Sequence, residues 1–99
     1  MYILITAATS AQAYKLKNSL NSTYIILGDY MDLPAIMLKN ANMIKLPSPA
    51  SASYAHEMLT LCLDKQINSV YTLKDEERRL LAEAEQLFRE FGIELHHIW

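Results

Sequence analysis

The feature that most constrains this chain is a regular alternation between short apolar segments and longer helical patterns. The apolar segments lie at residues 2–6, 23–28, 43–46, 67–73 and 93–99. The earlier ones are rich in hydrophobic and β-branched residues, which is typical of strands buried on both faces. Since parallel strands need crossover connections, the order βαβαβαβαβ predicts an α/β fold: a three-layer, Rossmann-like, doubly wound parallel sheet of about five strands.

The strongest helical pattern covers residues 75–91 and predicts one continuous helix. Its apolar positions follow helical spacing and are Leu80, Leu81, Ala84, Leu87, Phe88 and Phe91. Three acids, Asp75, Glu76 and Glu77, occupy the first turn, where negative charge is favourable beside the helix dipole. Gly92 supplies the C-terminal stop. The following segment, 93–99, alternates apolar and polar residues and is interpreted as a half-exposed edge strand.

Weaker helical patterns begin after Thr9 or Ser10, at Asp32, and after Ser51 or Ser53. Each of these residues carries a side-chain oxygen that suits the N-cap of a helix.

The segment LPSPAS, residues 46–51, is a stiff connection between a strand and a helix. Pro47 and Pro49 cannot donate hydrogen bonds to a sheet, and each disfavours helical backbone at the residue before it. They therefore end the third strand and hold the chain extended until the next helix begins.

Composition excludes several classes of protein. The 99 residues predict a single domain, residues 1–99, and 52% hydrophobic with 20% charged residues is typical of a globular protein. A net charge of −2 without a basic stripe argues against nucleic-acid binding. The single cysteine, Cys62, indicates a reduced, cytoplasmic setting. No apolar run approaches the length of a membrane span, so we expect no membrane partner.

Ligands of doubly wound sheets bind beyond the carboxyl ends of the strands, so the candidate residues lie in the loops that follow the strands. The candidate ligand-binding residues are Thr6, Thr9, Ser10, Asp29, Ser48, Thr72, Asp75 and Glu76. None is predicted to be catalytic, because no nucleophile, base and oxyanion hole can be assembled from the pattern.

The first loop, TAATSAQ, lacks the glycines with which a Rossmann domain approaches a pyrophosphate. Thr9 and Ser10 could bind an anion at a helix N-terminus, but capping hydroxyl groups explain them more simply.

Asp29 has the spacing of an acid that binds ribose, although an aspartate after glycine is also an ordinary turn residue.

The acids that follow the fourth strand allow two interpretations. Thr72, Lys74, Asp75, Glu76 and Glu77 gather at the end of this strand. The carboxylates could hold a cation or act as acid and base, whereas acids in a first helical turn also simply stabilise the helix. A zinc site is not expected, since His96 and His97 point to opposite faces of a regular strand. A phosphoacceptor receiver is excluded, because it needs an aspartate where Pro47 stands.

The segment 41–95 resembles the N-terminal domain of ATP-grasp enzymes of the carbamoyl-phosphate-synthase-like kind. Shared features are a strand ending in KLP, a proline-rich connection, a strand ending in the acids of VYTLKDEE, and a short strand beginning GIEL. The intervening helix carries the related pattern at Tyr54, Met58, Leu59, Leu61 and Cys62. The chain departs from the family pattern in two loops. It has TAAT where the family commonly has glycine, and Leu73-Lys74 where the family often has proline. These departures put ligand binding by the two loops in doubt.

The resemblance implies a pre-ATP-grasp domain that is not catalytic by itself. It would be the N-terminal domain or a split subunit of a ligase, shaping the substrate side and packing on an ATP-grasp module that alone binds ATP and magnesium. Ile98 and Trp99 would contribute to an apolar packing surface, which a homodimer could also cover. The alternative is a free-standing domain that binds a nucleotide or a metabolite anion.

Overall fold

A computed structural model describes residues 2–7, 10–20, 24–30 and 43–97. The strands are β1 (Tyr2–Ile5), β2 (Ile25–Asp29), β3 (Met43–Lys45), β4 (Ile67–Thr72) and β5 (Glu94–His97). The helices are α1 (Ala11–Leu20), α2 (Tyr54–Asp64), α3 (Asp75–Ala82) and α4 (Glu85–Glu90). The short helix predicted at Asp32 lies outside the described residues, as do Thr9, Ile98 and Trp99.

The strands form one five-stranded sheet in the order β3-β2-β1-β4-β5. Each of the four strand pairs is parallel, which confirms the predicted doubly wound α/β fold. The chain runs outward from β1 to β3 and then returns to β4 on the other side of β1. The strand order therefore reverses between β1 and β4, and their carboxyl ends define the switch point.

The two faces of the sheet bury separate apolar clusters. On one face, strand residues such as Leu4 and Val70 pack with Met58 of α2, Leu81 of α3 and Phe88 of α4, all of them 0% exposed. On the other face, residues of β1, β2 and β3 pack with Ala13 of α1. Apolar burial on both faces is the physical reason that the strand segments are so rich in hydrophobic residues.

The predicted continuous helix over 75–91 is wrong, because the chain forms two helices there. The backbone turns at Glu83 and Ala84, where the amide of Ala84 donates to the carbonyl of Leu81 at 3.0 Å. Leu81 and Phe88 are nevertheless both buried in the same cluster. The short turn thus preserves the apolar face on which the prediction depended.

Gly28 allows β2 to approach the loop after β3. A Cβ atom at this position would lie 2.7 Å from the side chain of Leu46, which is buried. Any larger residue would displace Leu46 from the core.

None of the described helices has the length and apolar character needed to span a membrane.

Candidate functional site

Two buried threonines mark the switch point of the sheet. Thr6 follows β1 and Thr72 ends β4, and both are 0% exposed. The backbone amide of Leu73 donates to Oγ1 of Thr6 at 2.9 Å, while Oγ1 of Thr72 donates to the carbonyl of His96 at 3.4 Å. Both predicted residues therefore lie at the expected edge, and their hydroxyl groups join neighbouring strand ends.

Asp29 forms an ion pair that links two distant loops. Its side chain is buried at the end of β2, and Oδ1 accepts from Nζ of Lys74 at 3.1 Å. The same ammonium group lies 4.1 Å from the centroid of the Tyr30 ring, a favourable cation–π distance. Lys74 is thus oriented by two groups on the other side of the switch point, while 28% of its side chain stays exposed.

Glu77, which the sequence grouped with Asp75 and Glu76 but which was not among the candidate ligand-binding residues, is a buried acid. It is 0% exposed, and its Oε2 accepts a hydrogen bond from the hydroxyl group of Tyr54 at 3.2 Å. No described residue is a hydrogen-bond partner of Oε1. The sequence could have indicated this burial, because Glu77 precedes Leu81 by four residues and therefore lies on the apolar face of the helix.

The electrostatics of this buried pair favour neutral groups. Burial raises the pKa of the Glu77 carboxyl above its ordinary value, although the hydroxyl groups of Thr6 and Tyr54 and the charge of Lys74 oppose the shift. Burial and the adjacent Glu77 also raise the pKa of Tyr54, so its hydroxyl group stays protonated and can donate. The pair is a fixed polar element inside the fold.

Asp75 and Glu76 lie outside this cluster, and both are exposed. Asp75 pairs with Arg78 and, at 3.1 Å, with Arg79 in the same helix. The hydrogen bond from Arg78 lowers the pKa of the Asp75 carboxyl. These surroundings fit the interpretation in which the two acids stabilise the first turn of α3.

The predicted serines make local hydrogen bonds. Oγ of Ser10 donates to the carbonyl of Ala7 at 2.9 Å and accepts from the amide of Ala13 at 3.2 Å, as an N-cap does. Oγ of Ser48 accepts from the amide of Ala50 at 3.2 Å within the proline-rich connection. Each serine thereby stabilises its own loop.

The described residues do not fit a magnesium ion. Their acids, histidines and cysteine form no group of three or more that could hold a metal. At the strand ends, Asp29 is paired with Lys74, and Glu77 is enclosed by the fold. Burial also raises the pKa of the Cys62 thiol to about 12, so this cysteine is a core residue and not a nucleophile.

The Rossmann-like parallel sheet with polar residues at its switch point is the architecture expected of a pre-ATP-grasp-type domain. The sequence model of the PylC-like N-terminal domain matches residues 3–96. The chain therefore belongs to the PylC-like N-terminal domain family, and the domain is related to ATP-grasp ligases. This confirms the resemblance on which the expectations rested. No curated protein matches the chain.

Proposed function

We propose that this chain is the non-catalytic N-terminal domain, or a separate subunit, of a carboxylate–amine ligase of the ATP-grasp type. In this proposal it works in the cytoplasm, packs against an ATP-grasp module and forms the substrate side of the shared active site. The module alone binds ATP and magnesium. The observation that carries the proposal is the family match over residues 3–96, which includes residues of all five strands.

The strand ends support a positioning role. The hydrogen bond from Leu73 to Thr6 joins the β1 and β4 loops, and the Lys74–Asp29 pair joins the β4 and β2 loops. Three loops are thereby tied together, which provides a preorganised wall for a bound substrate. Lys74 is the partly exposed charge on this wall, and an ammonium group can attract the carboxylate of an acceptor substrate.

The test is an ATP-dependent ligation assay on the native gene product. The native gene is first sequenced beyond the codon for Trp99 to establish what that product is. If a separate ATP-grasp subunit exists, it is added to the assay. We expect phosphate release to require the ATP-grasp module and an acceptor substrate from an amino-acid panel. Lys74→Ala should raise the KM of the acceptor and leave the KM of ATP unchanged. Lys15→Ala, which removes an exposed lysine from α1, is the matched control.

Two results would contradict the proposal. Phosphate release by this chain alone would mean that it is catalytic. Saturable binding of nucleotides or metabolite anions to this chain, without any ligation in the complete assembly, would favour the alternative of a free-standing binding domain.

A further inference from the structure

The two edges of the sheet differ in length and in the charges they carry. β3 has three residues and ends on the exposed Lys45, and a short edge strand with a lysine is typical of edges protected against pairing. β5 has four residues, and among the described residues it is paired only with β4. Its outer edge therefore resembles a surface that can accept another strand.

The side chains of β5 carry a self-complementary pattern of a carboxylate and an imidazole. Glu94 and His96 lie on the same face of the strand, with Oε2 and Nε2 3.5 Å apart. The side chain of Glu94 is 76% exposed, and that of His96 is 35% exposed. The His96 ring stacks on Tyr71 of β4 at a centroid distance of 4.4 Å and an interplanar angle of 12°. An acid and an oriented imidazole are thus presented side by side at the edge.

We propose that a second copy of this chain docks antiparallel along β5, with the two-fold axis at Leu95. In this register Glu94 lies opposite the partner's His96, and His96 lies opposite the partner's Glu94. A carboxylate that faces an imidazole across antiparallel strands can accept a hydrogen bond from the ring N–H group, and such polar cross-strand pairs are favourable. The two sheets would then join into one continuous sheet across the axis, with the same surface used by both copies.

The opposite face of β5 also suits this arrangement. Leu95 is half-buried against the apolar cluster and would lie beside the partner's Leu95. A groove of about 190 Å³ runs between α4 and β5 at this edge. Its lining residues are Glu85, Arg89, Ile93, Glu94, Leu95 and His96. Pairing of four residues alone buries much less than the roughly 1,000 Å² of a specific interface, so α4 must approach the partner as well.

The test is sedimentation equilibrium of the full chain over concentrations from about 1 μM to about 1 mM, a range that covers modest affinities. We expect a monomer–dimer equilibrium. Glu94→Lys removes the carboxylate that faces the partner's His96 at both symmetric positions and should weaken the dimer by about tenfold or more. The double variant E94K/H96E places opposite charges across the axis and should recover dimerisation. Glu57→Lys, at an exposed site in α2, makes the same change of charge away from the edge.

A wild-type chain that stays monomeric over the whole range would overturn the proposal. Equal dimerisation of the Glu94→Lys and Glu57→Lys variants would exclude β5 as the interface. If the E94K/H96E variant dimerised no more tightly than Glu94→Lys, the register with its axis at Leu95 would be excluded. Circular dichroism checks that each variant folds. If Glu94→Lys does not fold, Glu94→Gln replaces it, and this variant should weaken the dimer less than Glu94→Lys would.

Discussion

Asp75 and Glu77 are two residues apart in the first turn of α3, yet their environments are opposite. Asp75 is exposed, and a hydrogen bond from Arg78 lowers the pKa of its carboxyl. Glu77 is 0% exposed beside Tyr54, and burial raises the pKa of its carboxyl. Successive helical residues are rotated by about 100°, so two positions carry a side chain from solvent to the core. A run of acids in a sequence is therefore not one functional unit.

The largest expected effect on stability distinguishes the buried Glu77 from the exposed Asp75. Glu77→Ala leaves a cavity and removes the acceptor of the buried Tyr54 hydroxyl group, so we expect it to lower the free energy of unfolding by about 2 kcal/mol relative to Glu77→Gln. Glu77→Gln is the reference because it keeps the shape and an acceptor. Urea unfolding at neutral pH measures the difference.

Asp75→Ala is the matched control on the outer face of the same turn, and it should change the free energy of unfolding much less than Glu77→Ala does. Equal losses for the two alanine variants would mean that the exposed and buried acids do not differ in their contribution to stability.

The next effect tests the contact between Glu77 and Tyr54. Tyr54→Phe removes the hydroxyl group that donates to Oε2 of Glu77, and should cost about 1–2 kcal/mol in the wild-type background. In a Glu77→Leu background, where the acceptor is already absent, the same change should cost much less. A double-mutant cycle measured by urea unfolding gives the coupling energy. A coupling energy of zero would contradict the hydrogen bond.

The pH dependence should have opposite signs for the two acids. The raised pKa of Glu77 means that its contribution to stability is fully present below the ordinary value of 4.5 and is lost as the pH rises through its folded-state pKa. Wild-type protein should therefore lose stability relative to Glu77→Gln as the pH increases above 4.5. Urea unfolding of both proteins at a series of pH values measures this difference.

For Asp75 the sign is reversed, because its folded-state pKa is lowered. Its contribution is present above the ordinary value of 3.8 and is lost as the pH falls through the lowered pKa. Asp75→Asn should remove this loss on acidification. If Glu77→Gln also removed the acid-side loss, the pKa of Glu77 would be lowered as well, and the two carboxyls would not have opposite shifts.

The smallest effect concerns the exposed ion pair. The side chain of Arg79 is 71% exposed where it meets Asp75, so solvent and salt screen the interaction. We expect Arg79→Ala to leave the urea midpoint nearly unchanged at physiological salt. A clear loss of stability that persists in high salt would show that this outer surface contributes more than a screened ion pair.

Much of the fold could be predicted because it follows from local periodicity. The apolar segments at residues 2–6 and 67–73 contain the strands β1 and β4, and Asp75 begins α3. The turn at Ala84 was missed because both helices that flank it present apolar residues to the same cluster. The burial of Glu77 could have been read from its spacing to Leu81, since a charged residue on an apolar stripe has to be accommodated inside the fold.

The sequence by itself determined the alternation of strands and helices, the parallel sheet and the edge at which polar residues gather. These features depend on patterns among residues that are close in sequence. Only the tertiary structure decided the strand order and the partners of the polar residues. Lys74 meets Asp29 across 45 positions of sequence, and Tyr54 meets Glu77 across 23. Such pairs form because the parallel sheet brings the segments that follow β2, β3 and β4 to the same edge. No local pattern specifies which side chains then lie within hydrogen-bond distance.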